Sequence, residues 1–65
     1  MATIRFCLET EEFLLHEVQN EAPENLLIAL KAAEFVMIGD KKYSYKSHAV
    51  DLDDNTFYVQ VALFS

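Results

Sequence analysis

The stretch EFVMIGDKKYSYKSHAVDLDDNTFYVQVALF, residues 34–64, decides the fold. Gly39-Asp40 lies between the runs 34–38 and 41–50 and is a two-residue connection of the kind that closes a tight hairpin. Gly in first place supplies the positive φ that a type II′ turn requires. Pairing outward from that turn sets Ile38 against Lys41 and Val36 against Tyr43. A second loop, 51–55, then sets Ala49 against Phe57, Ser47 against Val59, Tyr45 against Val61 and Tyr43 against Leu63. Side chains alternate across a sheet. This register therefore predicts a core face of Val36, Ile38, Tyr43, Tyr45, Ala49, Phe57, Val59, Val61 and Leu63. The opposite face is predicted to carry Phe35, Met37, Ser44, Lys46, His48, Val50, Tyr58, Gln60, Ala62 and Phe64, which is apolar for a solvated surface.

Working outward, residues 3–9 alternate, with Ile4, Phe6 and Leu8 on one side and Arg5, Cys7 and Glu9 on the other, and read as a strand. Residues 13–18 fit a second strand hairpinned through 10–12. They also fit a helix capped by Thr10, with Glu11 and Glu12 in its first turn; the strand is preferred. Residues 20–23 form a connection, and 24–33 read as a short helix. Pro23 stands at its start, and Leu26, Leu27, Leu30 and Ala33 share a stripe. Lys31 lies near the C-terminal end, where a cation is favoured. Ten residues do not hold a helix alone, so it must pack on the sheet. The expected fold is a single α+β domain, 1–65: a small antiparallel sheet of two N-terminal strands and a three-stranded C-terminal meander, with one short helix. The alternative, should the helix fail, is a small SH3-like β-barrel.

Sixty-five residues are near the lower limit for a chain that folds without staples, and the expected stability is a few kcal/mol. One cysteine, Cys7, allows no internal disulfide, and Cys7, His16 and His48 have no zinc-type spacing. Missing staples point to an efficient core, to self-association or to a partner. Hydrophobic content of 52% excludes a disordered acidic tail. No apolar run reaches the ~20 residues of a membrane span, and residues 1–5 lack the features of a signal peptide. The expectation is a reduced, cytoplasmic setting without membrane association.

The net charge of −6 argues against direct nucleic-acid binding. Six glutamates (Glu9, Glu11, Glu12, Glu17, Glu21 and Glu24) occupy residues 9–24 with no Lys or Arg among them. Lys31, Lys41, Lys42 and Lys46 then outnumber Glu34 and Asp40, and the chain turns acidic again at Asp51, Asp53 and Asp54. The chain is thus a dipole along its length.

Little here carries chemistry. Asp51, Asp53 and Asn55 have the D-x-D-x-N spacing that opens a calcium loop. That loop needs Gly at its sixth position and Glu at its twelfth, where this chain has Thr56 and Ala62. The segment reads instead as a hairpin loop using Asp and Asn for turn chemistry. His16 and His48 titrate nearest neutrality, and a Cys7–His48 pair has no motif around it. A chain of this size has trouble forming a dry catalytic pocket. No enzyme, catalytic residue, metal or cofactor is expected.

Two surfaces remain as candidates for binding protein. Glu9, Glu11, Glu12 and Glu17, with Glu21 and Glu24, can present negative charge to a basic groove, the principle on which small acidic DNA-mimicking inhibitors work. Phe35, Met37, Tyr58 and Phe64, rimmed by Lys46, His48 and Gln60, are expected to form an apolar patch if no other element covers them. The strand 56–64 is expected to offer a sheet edge to a partner or to a second copy.

The layout resembles the small, acidic single-domain proteins common among phage and mobile-element genes. The resembling parts are the short N-terminal strands, the Gly39-Asp40 hairpin and the Tyr-rich meander ending in Thr56-Phe57-Tyr58-Val59-Gln60-Val61. The resemblance implies an accessory protein that works by binding, as inhibitors of host defence do. The expectation is a non-catalytic protein-binding module, an inhibitor or adaptor of a larger, nucleic-acid-binding protein. The alternative is a self-assembling structural or accessory subunit, a homo-oligomer.

Overall fold

The computed structural model describes residues 1–10 and 13–64. It comprises β1 (Ala2–Leu8), β2 (Phe13–Asn20), α1 (Pro23–Ala32), β3 (Val36–Ile38), β4 (Lys41–Asp51) and β5 (Thr56–Leu63). The five strands form one curled sheet in the order β2-β1-β5-β4-β3. This is the expected α+β arrangement of an N-terminal strand pair, one helix and a C-terminal meander. Residues 13–18 fall within a strand. The hairpin expected through 10–12 lies partly outside the described residues.

The joining ladder departs from a wholly antiparallel sheet. β1 and β5 run parallel, from Thr3 opposite Thr56 to Leu8 opposite Val61, so the sheet is mixed. The other three ladders are antiparallel. Tight turns dictate the direction of the β3–β4 and β4–β5 pairs, whereas β1 and β5 meet across more than fifty residues, where no turn constrains direction. The same pairing places β5 at the centre of the sheet. The expectation that 56–64 offers an edge is therefore overturned: the edges are β2 and the three-residue β3.

Around Gly39 the register is as predicted, with Val36 opposite Tyr43 and Ile38 opposite Lys41. Gly39 has φ +62°, and Asp40 does not share the left-handed region, as a type II′ turn requires. Between β4 and β5 the predicted pairs hold for Tyr43–Leu63 and Tyr45–Val61 only. Lys46 is then an extra residue, and Ser47 pairs with Gln60, His48 with Val59, Ala49 with Tyr58 and Val50 with Phe57. A β-bulge of one residue moves every later side chain to the opposite face. His48 and Val50 thus turn inward and Ser47 and Ala49 outward, the reverse of the sequence expectation.

The inner face is the core. Ile4, Val59 and Val61 are fully buried, joined by Phe6, Tyr43, Leu27 and Leu30. Val36, Ile38, Tyr45 and Phe57 pack against them, as predicted. Leu63 does not; it is 61% exposed at the end of β5, beyond the last β1 pairing at Leu8–Val61.

α1 begins one residue earlier than its predicted start, with Pro23 in the first turn, where a missing N–H costs nothing. Its N-cap, Ala22, has no side chain to cap with. Instead the Ala22 amide donates to Asn20 Oδ1 at 2.7 Å, fixing the chain as it leaves β2. Ala33, placed in the apolar stripe by sequence, is the exposed C-cap in an extended conformation. Leu27 and Leu30 are the anchors.

Burial of a side chain the size of Ile4 contributes about 1.5–3 kcal/mol. In a domain this small, Ile4→Ala should cost about 2–5 kcal/mol and leave the chain largely unfolded. Ile28, 66% exposed on α1, provides the control: Ile28→Ala should stay within about 0.5 kcal/mol of the parent. Urea unfolding followed by circular dichroism separates the two.

Candidate functional site

The core and helix occupy one side of the sheet, and the described residues leave the other side open. Cross-strand partners share a face, so the outer face reads as rows across the strands. Arg5 sits between Glu17 of β2 and Tyr58 of β5, and Tyr58 faces Ala49 of β4. Cys7 lies beside Gln60, which faces Ser47. Ala62 faces Ser44.

Side-chain bonds tie this surface together. Arg5 Nε donates to Glu17 Oε1 at 2.7 Å, Gln19 Nε2 donates to Thr3 Oγ1 at 2.9 Å, and Ser47 Oγ donates to Gln60 Oε1 at 3.1 Å. The Glu17 hydrogen bond, and then its charge, raise the Arg5 pKa above its ordinary value. Glu17, a candidate for the acidic surface, is therefore already paired.

The four apolar candidates do not form one patch. Phe35 and Phe64 pack with their rings tilted by 57° and centroids 5.5 Å apart, and Lys42 Nζ lies 4.6 Å from the Phe35 centroid. Met37, opposite Lys42, belongs to the same corner. Met37 and Phe64 are 57% and 43% exposed. Tyr58 is six residues from Phe64, about 20 Å along β5, with Gln60 and Ala62 between them on the same face. There it borders two hollows that meet at Ala49. One, of about 330 Å³, is lined by Cys7, Ala49, Tyr58 and Gln60. The other, of about 450 Å³, is lined by Ala49, Tyr58 and residues 50–53 at the loop. Ala49 makes both possible, because a larger side chain there would fill them.

His48, expected at the rim of that patch, is on the inner face because of the bulge at Lys46. Its Nδ1 shares a 2.6 Å hydrogen bond with the Tyr45 hydroxyl, and the rings lie 6.1 Å apart. Cys7 is on the outer face, so the sheet itself separates Cys7 from His48. His16 is exposed on the inner side of β2, its ring 6.4 Å from Phe6. Among the described residues, no group of three or more His, Cys, Asp or Glu is placed to hold a metal ion. No helix among them is long and apolar enough to cross a membrane.

The fold also gathers charge that the sequence scatters. Ala2 faces Asn20 and Asp51 faces Thr56, so the exit from β2 and the β4–β5 loop lie at the same end of the sheet. Glu21 and Glu24 therefore share that end with Asp51, Asp53 and Asp54, and residues 20–25 and 51–55 contain no Lys or Arg. Asp51 is committed to the loop: its Oδ1 accepts from the Asp53 and Asp54 amides at 3.1 and 3.3 Å. Asn55 takes φ +53° and donates from Nδ2 to the Met1 carbonyl at 3.1 Å. Asp and Asn thus supply the turn chemistry read from the sequence. Asp53, Asp54, Glu21 and Glu24 are exposed. Glu9 is exposed at the opposite end, and Glu11 and Glu12 lie outside the described residues. Sequence reasoning missed this acidic end because its parts are about thirty residues apart in the chain; only the β1–β5 pairing joins them.

Tyr45→Phe leaves His48 Nδ1 without its partner and should cost about 0.5–1.5 kcal/mol, the net worth of one such bond. The midpoint of urea unfolding reads this directly. With this geometry in place, no family model, curated protein or solved structure matches the chain.

Proposed function

We propose that this chain is a small, non-catalytic protein-binding module, an inhibitor or adaptor that engages a basic surface on a larger protein. A nucleic-acid-binding protein is the natural class of partner, because its phosphate-binding surface is built from Lys and Arg. The observation that carries the reading is the acidic end of the sheet. Four exposed carboxylates, Glu21, Glu24, Asp53 and Asp54, come from two segments distant in sequence, with no basic residue in either. Such a field steers a basic partner and raises the association rate. Glu17 is engaged with Arg5 and adds less free charge to this field. A cytoplasmic setting belongs to the same reading, supported by a half-buried free thiol and no second cysteine to pair with it. The resemblance to phage and mobile-element accessory proteins points the same way.

A second reading, a self-assembling accessory subunit, draws on a different observation: the described residues leave the outer sheet face open.

Charge reversal tests the first reading. The triple variant Glu21→Lys/Asp53→Lys/Asp54→Lys leaves the core, the Asp51 turn and the Asn55 contact in place. Proteins captured by the immobilised parent chain at low salt should be lost on the variant. Association of the parent with a captured partner should be at least about tenfold faster, with a steep dependence on salt. Equal capture and equal salt dependence for the two chains would sink the reading.

A further inference from the structure

We propose that β2 is a docking edge: an extended segment of a basic partner adds to residues 16–20 as a further strand of the sheet, with Lys or Arg side chains directed to Glu21 and Glu24. The proposal deepens the basic-partner reading and rests on it.

Main-chain chemistry gives the first argument. A strand at the edge of a sheet presents a row of N–H and C=O groups with no strand to pair them. Among the described residues, β2 has β1 on one side and no strand on the other. The opposite edge, β3, is three residues long and too short to template a strand. β2 is eight residues long, but Leu15 is an extra residue between the Phe6–His16 and Cys7–Leu14 pairs. Such a bulge interrupts the spacing of the outward groups. Residues 16–20 follow it without a break, opposite residues 2–6, and span about 15 Å of regular edge.

Side-chain placement gives the second argument. Edge strands are commonly blunted by Lys or Pro, and residues 16–20 contain neither. Their polar side chains reach back to β1 instead. Glu17 accepts from Arg5 at 2.7 Å, and Gln19 donates to Thr3 at 2.9 Å. Both side-chain ends are thereby held on the β1 side, away from the free edge, so a strand added there breaks neither bond.

Charge selects the occupant. Residues 9–24, which contain β2, carry six glutamates and no Lys or Arg. Glu17 is engaged with Arg5, whereas Glu21 and Glu24 are exposed just beyond the end of β2, Glu24 in the first turn of α1. An incoming strand with Lys or Arg is drawn to that end. A second copy of this chain, carrying −6 like the first, is repelled. Main-chain bonds supply the affinity of such a contact, and the glutamates supply its preference for basic side chains.

The test titrates the full, isotope-labelled chain at low salt with the peptide acetyl-Lys-Thr-Lys-Thr-Lys-Thr-amide and follows the amide resonances. Peptide is carried to about 5 mM, so that even millimolar binding is read. Shifts should concentrate at residues 16–20, with slowed amide hydrogen exchange there. The same peptide methylated at every backbone nitrogen keeps its charge and loses its donors. Its dissociation constant should be at least about tenfold higher, the worth of one or two main-chain bonds. The Glu-Thr counterpart should not bind. No shift at residues 16–20 with the Lys-Thr peptide would overturn the proposal, as would equal binding of the Glu-Thr peptide. Equal binding of the methylated peptide would overturn the docking edge alone, because the basic-partner reading is decided separately by capture on the charge-reversed variant. Shifts at residues 16–20 that follow the concentration of the chain without any peptide would assign the edge to a second copy and likewise overturn the proposal.

Discussion

The parallel ladder between β1 and β5 is the constraint on which the rest of the molecule depends. It joins two units that are each too small to bury a core: the N-terminal strand pair and the C-terminal meander. A lone hairpin is marginal in water, and three strands need something to pack against. Where the units meet, Ile4 faces Phe57, Phe6 faces Val59 and Leu8 faces Val61. Ile4, Val59 and Val61, at the heart of this seam, are the largest fully buried side chains among the described residues. Leu27 and Leu30 of α1 cover the inner side. With neither disulfide nor metal cluster among the described residues to staple it, the chain holds together through this apolar seam.

The seam also organises the surfaces. By making β5 central, it leaves β2 and the three-residue β3 as edges and turns the meander's outer side into part of a broad five-stranded face. By aligning Thr3 with Thr56, it brings the β2 exit and the β4–β5 loop to one end. The same packing that stabilises the fold therefore concentrates carboxylates at one pole and leaves the outer face of the sheet open among the described residues.

The bulge at Lys46 decides what the outer face is made of. Without it, Ser47 and Ala49 would sit in the core and His48 and Val50 would stand in solvent. With it, His48 reaches the Tyr45 hydroxyl and Val50 falls opposite Phe57. Ala49 then becomes the floor of a recess beside Tyr58. A single extra residue thus converts a mixed surface into one lined by small side chains, and separates Cys7 from His48 by the thickness of the sheet.

Much of this was legible from the chain. The Gly39-Asp40 turn is a local matter of φ, and the alternation of Ile4, Phe6 and Leu8 is a local matter of pleat, so both the hairpin register and β1 followed from neighbouring residues. The helix followed from Pro23 and the leucine stripe. The bulge left one trace: an unbroken register turns Ser47 to the core face, and a one-residue slip turns it out to pair with Gln60. What the chain alone did not specify is whatever depends on partners more than fifty residues apart. The parallel direction of β1 on β5, the central position of β5, the split of Phe35, Met37 and Phe64 from Tyr58, and the acidic pole all follow from one long-range pairing. Local sequence carries φ preferences and hydrophobic period. Which strands lie side by side is set by how the assembled pieces bury the most apolar surface together, and only the tertiary structure expresses that.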